Sequence, residues 1–145
     1  AMKSAAGTIR LDLAQYREME VFTQFSSDLG ETTKRQLVYG QGLMRLLRQA
    51  QYHPFAQHEQ VILLTAALGH IMQELSPDQV GRFEARLLSD VSEQAPDLCQ
   101  RIDSTGQLSP EDRSTIMDLA HRSLYAFQQE EMAAKQAAAA KKAGE

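Results

Sequence analysis

The segment from Gln57 to Met72 constrains this chain most. Val61, Thr65, Leu68 and Met72 recur at helical spacing in one row, and Ile62, Leu64 and Ile71 widen it. So broad an apolar stripe predicts a helix at the centre of a core. On that reading Leu68→Ala is expected to cost about 2–5 kcal/mol.

The punctuation around this segment points to more helices. Before it, Leu37, Met44 and Leu47 form a helical stripe with Val38 and Leu43 beside them, interrupted by Gly40 and Gly42. Those glycines weaken a helix, so close packing or a bend is expected there. Gln51-Tyr52-His53-Pro54 ends the stripe, because the residue before proline leaves the helical region. After it, Ser76-Pro77-Asp78-Gln79 combines a capping serine, a proline at the first position and a glutamine three residues after the cap. Val80, Phe83, Leu87 and Val91 follow at helical spacing, with Leu88 beside them. Pro96 restarts the chain in a short helix holding Leu98, Cys99 and Ile102, which Thr105-Gly106 closes. Ser109-Pro110-Glu111-Asp112 repeats the start signal, and Ile116, Leu119, Ala120, Leu124 and Phe127 carry the last stripe. Beyond Phe127 the sequence is rich in alanine, glutamine and lysine, with high helix propensity and little for a core. Ile9, Leu11 and Leu13 alternate, but over too few residues for a strand. The fold predicted is all-α, a bundle of about five to seven helices.

The opening segment GTIRLDLAQYREMEVFTQF is apolar on two sides. Leu11, Ala14, Val21, Phe22 and Phe25 fall along one side and Ile9, Leu13 and Tyr16 along another. A helix of this kind has to be covered on both. The six residues before it, AMKSAA, hold no good cap or partner strand. These features predict a domain cut from a larger chain, with an apolar patch over residues 9–25 that promotes self-association.

The 145 residues suit one domain, or one domain with a tail. A net charge of -4 and a pI near 5.6 argue against nucleic acid as the main partner. No apolar run approaches the roughly 20 residues that span a bilayer, and Lys3 followed by small residues and then charge is not a signal peptide. One cysteine, Cys99, cannot form an internal disulfide and reads as a buried thiol. A cytoplasmic setting is the expectation.

Catalytic signatures are sparse. Neither a P-loop nor a Gly-x-Gly-x-x-Gly pattern is present. His53, His58, His70 and His121 are scattered, and His53 and His58 flank a proline, so they do not share a face as zinc ligands on a helix would. Glu130-Glu131 and Glu111-Asp112 suit solvation and the helix dipole better than acid chemistry. Lys3, Arg10 and Arg17 recur every seven residues and read as a solvated face or a contact stripe for an acidic partner. In Arg48-Gln49-Ala50-Gln51-Tyr52-His53-Pro54, Gln49 and Gln51 sit where a helix gives way to a loop. A carboxamide donates and accepts together and can match an adenine edge.

In order along the chain, AMKSAAGTIRLDLAQYREMEVFTQFSSDLG, RQAQYHPF, EQV, RFEARLL and STGQLSPE resemble the C-terminal helical domain of the α subunit of F-type ATP synthase. The resemblance runs to about residue 127, which divides the chain into that domain (1–127) and an Ala/Lys-rich helical or flexible tail (128–145). The acidic DELSEED segment of the related β subunit is missing. Val38-Tyr39-Gly40-Gln41-Gly42 departs from the S-R-G-x-R common in the family, Gly69-His70-Ile71-Met72 from G-Y-L-D, and Ser26 stands for a usual glycine.

The resemblance implies a regulatory and structural part of a proton-translocating synthase, or a sodium-translocating one. Three α and three β subunits there alternate around the rotor subunit γ, and the complex sits on the cytoplasmic, peripheral face of a bacterial plasma membrane. It implies β and γ as partners, membrane association only through the complex, and no catalysis by this chain alone. It assigns Gln49 and Gln51 to the adenine of the non-catalytic nucleotide, ATP or ADP with Mg²⁺, in the intact subunit. The bare fragment, without the phosphate-binding half, is expected to bind no cofactor. A stand-alone helical adaptor without catalytic role is the alternative.

Overall fold

The structure, a computed structural model, describes residues 1–23, 30–47 and 55–143. Among these residues it is all-helical, as the spacing predicts. The helices are α1 (Met2–Ala5), α2 (Ile9–Thr23), α3 (Glu31–Leu46), α4 (Gln57–Leu68), α5 (Pro77–Gln94), α6 (Pro96–Thr105) and α7 (Pro110–Ala143), with a 3₁₀ turn at Ile71–Glu74 between α4 and α5.

Helix α4 lies at the centre. Its residues Val61 to Ala67 are all buried, and α1, α3, α5, α6 and α7 pack around it. An α4 capped at Ala56 has no side-chain acceptor of its own for the free N–H groups of its first turn. Two carboxylates supply them. Glu59 accepts the Ala56 N–H at 2.7 Å, and Asp103, reaching from α6, accepts the His58 N–H at 3.0 Å. The same Asp103 lies 2.7 Å from His58 Nδ1, so one side chain ties the start of α4 to α6.

The expected single helix from Gln57 to Met72 is interrupted. The α-helix ends at Leu68, and His70 takes a left-handed conformation at φ 61° before the 3₁₀ turn. Gly69 lets the Met117 side chain of α7 press close to the backbone, where any Cβ would collide with it. The His70 ring then lies against Tyr39 at 4.6 Å and takes a hydrogen bond from Gln73 Nε2 at 2.8 Å. Leu68, the last residue of α4, is half-buried, while beyond the break Ile71, Met72 and Leu75 enter the core.

Both Ser-Pro starts form as read. Gln79 accepts the Ser76 N–H at 3.0 Å at the start of α5, and Ser109 Oγ accepts the Asp112 N–H at 3.0 Å at the start of α7. Gly106, at φ 63°, closes α6. Val80, Phe83, Leu87 and Val91 are buried and face Ile116, Leu119, Leu124 and Phe127 in a continuous core, with Phe83 and Phe127 edge to face at 5.9 Å.

Charged pairs fasten α7 to α5 along its outer side. Arg82 grips Glu131 at 2.6 and 3.1 Å, and Arg86 grips Glu130 at 3.0 and 2.9 Å. Arg86 also donates to Asp90, which accepts Ser123 Oγ at 2.6 Å. Past Met132 the side chains through residue 140 are exposed, yet the helix continues. The packed part has already met the cost of nucleation, and alanine sustains propagation.

The opening residues, which offer no good cap or partner strand, still form α1 without a side-chain cap and put Ala5 into the core at 1% exposure against α4. A four-residue helix has no period to read, so only its small residues hint at it.

Two substitution pairs check this packing. Leu87→Ala is expected to lose about 2–5 kcal/mol in denaturant unfolding, with Leu68→Ala well below that because Leu68 is half-buried. Gly40→Ala is expected to destabilise by about 1–3 kcal/mol, since a Cβ there would strike the Tyr16 ring and its Cβ. Gly42→Ala meets nothing within 4 Å and should stabilise by about 0.5–1 kcal/mol.

Candidate functional site

Gln49 and Gln51, with Arg48, Tyr52, His53 and Pro54, lie outside the described residues. The chain on either side of them is firmly placed. Leu46 is buried at the end of α3, and Phe55 packs against the core ahead of α4. Gln60 Nε2 donates to the Phe55 carbonyl at 2.8 Å, which pins the residue that follows the QAQYHP stretch.

The two sides of α2 separate as the apolar pattern predicts. Tyr16 is buried, and Ile9 and Leu13 pack against the core. Tyr39 of α3 donates to Asp12 Oδ2 at 3.1 Å and fastens the pair. Burial, and then the charge of Asp12, push the Tyr39 phenol above its ordinary range. On the other side Leu11, Val21 and Phe22 are 61%, 57% and 66% exposed, and Ala14 is exposed with them. Phe25 lies outside the described residues. Arg10 and Arg17 are exposed on α2, whereas Lys3 belongs to the separate α1, so the seven-residue series is not one helix face.

The described histidines do not converge. His58 pairs with Asp103, His70 rests on Tyr39, and His121 is exposed. Among the described residues no group of three His, Cys, Asp or Glu could hold a metal ion. Cys99 is buried, and burial pushes its thiol up, away from the reactive thiolate. No helix among the described residues is long and apolar enough to cross a membrane.

One feature escaped the sequence pattern. Between α3, the 3₁₀ turn and α5 lies a cavity of about 230 Å³, lined by Val38, Gly42, Met72, Leu75 and Val80 and by the polar Gln41 and Arg45. One turn beyond Val80 on the same side of α5, Glu84 carries a buried Oε1 with no hydrogen-bond partner among the described residues. Burial pushes its carboxyl up, and the charge of Arg45 offsets this only in part. In sequence Glu84 looks like one more polar residue between Phe83 and Leu87. The folded state holds the Glu84 proton more tightly than the unfolded chain. Its contribution to stability is therefore best below the ordinary glutamate range and declines as pH rises through the folded-state value. Glu84→Gln is expected to raise stability at neutral pH and to flatten that decline, which in the parent chain is no steeper than about 1.4 kcal/mol per pH unit. Thermal melts across pH check this.

The family described as ATP synthase alpha/beta chain, C terminal domain, matches residues 1–123. The chain is 38% identical to ATP synthase subunit alpha of Rickettsia bellii over 80% of this chain and 23% of that one. It is 37% identical to that of Petrotoga mobilis over 88% of this chain and 25% of that one. With the subunit of Lactobacillus delbrueckii subsp. bulgaricus the identity is 42% over 78% and 22%. The chain thus spans about a quarter of the length of these relatives. With the all-helical architecture and a match over residues 1–123, the chain belongs to the ATP synthase alpha/beta C-terminal domain family, and its relatives are alpha subunits.

Proposed function

We propose that this chain is the C-terminal helical domain of the regulatory and structural α subunit of a proton-translocating ATP synthase, where it packs with β subunits around γ. Residues 1–127 are the domain and residues 128–145 an extension of it. The observation that carries this reading is the match over residues 1–123 together with three named relatives that are each alpha subunits. The exposed apolar side of α2 supports it, because Leu11, Val21 and Phe22 offer a second surface for a neighbouring body. On this reading the domain is not itself catalytic. In the intact subunit Gln49 and Gln51 contact the adenine of an Mg²⁺-bound ATP or ADP at the non-catalytic site. The complex is peripheral to the membrane and faces the cytoplasm.

The test is a chimaera in which residues 1–127 replace the matching segment of the Petrotoga mobilis α subunit, co-expressed with that organism's β and γ. Recovery of an assembled α–β–γ complex is expected, and a chimaeric α that folds but stays unassembled would refute the assignment in favour of an adaptor. Within the assembled complex, Gln49→Ala with Gln51→Ala should weaken nucleotide retention at the non-catalytic site about 10-fold or more. The 145-residue chain alone should self-associate through α2 at high concentration, and Phe22→Ser should reduce this in sedimentation.

A further inference from the structure

The cavity between α3, the 3₁₀ turn and α5 has two kinds of lining. Met72, Leu75 and Val80 are buried and make an apolar floor, while Val38, Gln41 and Arg45 lie along one side of α3, exposed, at its mouth. Its volume, about 230 Å³, exceeds the roughly 150 Å³ of an apolar cavity that binds benzene. Gly42 adds no side chain, and a Cβ there would meet nothing within 4 Å, so α3 leaves the space open at that position. Val38, Gly42 and Met72 stand where the chain departs from S-R-G-x-R and G-Y-L-D, so the cavity is built partly from residues in which this chain differs from its family.

Gln41 and Arg45 are one helical turn apart and supply the polar part of the lining. A carboxamide N–H₂ and a guanidinium fork are both donors, and the fork matches a carboxylate with two parallel bonds. The charge of Arg45 also acts on Glu84, which lies outside the lining. Five N–H donors let one guanidinium serve a second carboxylate as well. We propose that this cavity binds a straight-chain aliphatic monocarboxylate of about six carbons, its tail on Met72, Leu75 and Val80 and its carboxylate at the mouth accepting from Arg45 and Gln41. An amine of the same length would meet the like charge of Arg45, and an alcohol would forgo the charge-assisted bonds. This function is separate from assembly into a synthase, because the lining belongs to α3, the 3₁₀ turn and α5 and not to the exposed side of α2.

The probe is hexanoate, titrated into the 145-residue chain and followed by the methyl resonances of Val38, Met72, Leu75 and Val80, with n-hexanol and n-hexylamine as the neutral and cationic comparisons. Saturable shifts confined to these methyls are expected, with a dissociation constant on the order of millimolar for hexanoate. The alcohol should bind about 10-fold more weakly and the amine more weakly still. Arg45→Met should remove the preference for hexanoate while hexanol still binds, and Gly42→Leu should abolish binding of both, each variant first shown to melt cooperatively. Hexanoate binding no tighter than hexanol to the parent chain would overturn the assignment of the head group to Arg45 and Gln41, with no variant needed. Shifts that do not saturate, or that fall outside the cavity, would overturn the site itself.

Discussion

Enclosure of α4 is the constraint from which the rest of the structure follows. A helix buried from Val61 through Ala67 has no solvent face, so partners must close on it from every direction, and α1, α3, α5, α6 and α7 do so. Each of those neighbours then needs only one apolar stripe, which α5 and α7 supply through Phe83, Leu87, Ile116 and Leu119. The start of α4 lies outside that buried stretch, where Ala56 and Gln57 are exposed. Asp103 and Glu59 still accept two of its otherwise free N–H groups.

The layers outside this centre differ in how firmly they are held. Helix α7 is locked by apolar contact within and by the Arg82–Glu131 and Arg86–Glu130 pairs without. These pairs are partly exposed, so their value lies in register more than in stability. Helix α2 is an outrigger. It packs chiefly on α3 through Tyr16 under Gly40 and presents Leu11, Val21 and Phe22 outward. An apolar side turned away from its own core suits a domain that packs against neighbouring subunits, which is the role proposed for it.

Much of this was legible in the sequence where the determinant was local. Ser76-Pro77 and Ser109-Pro110 declare helix starts because cap and proline act within one turn, and Gly106 declares an end because only a left-handed residue closes α6. The break at Gly69-His70 was not legible, since Met117 and Tyr39, far along the chain, decide it. Leu68, which reads as core from its spacing, is half-buried at the end of α4 just before that break. The same holds for Glu84, whose surroundings come from α3, and for α1, too short to show a period. The carboxamides of Gln49 and Gln51 suit an adenine edge, but two glutamines at a helix end are a weak signal, so it is the family resemblance that assigns them to the nucleotide; they lie outside the described residues.

Hydrogen exchange on the 145-residue chain tests the central claim most directly, because it reads enclosure amide by amide. The amides of Leu64 to Ala67 are predicted to exchange only through global unfolding, while those of Leu13 to Glu20 in α2 exchange at least about 10-fold faster through a local opening of the α2–α3 contact. Equal protection in the two segments, or local exchange within α4, would contradict a fold organised around one enclosed helix.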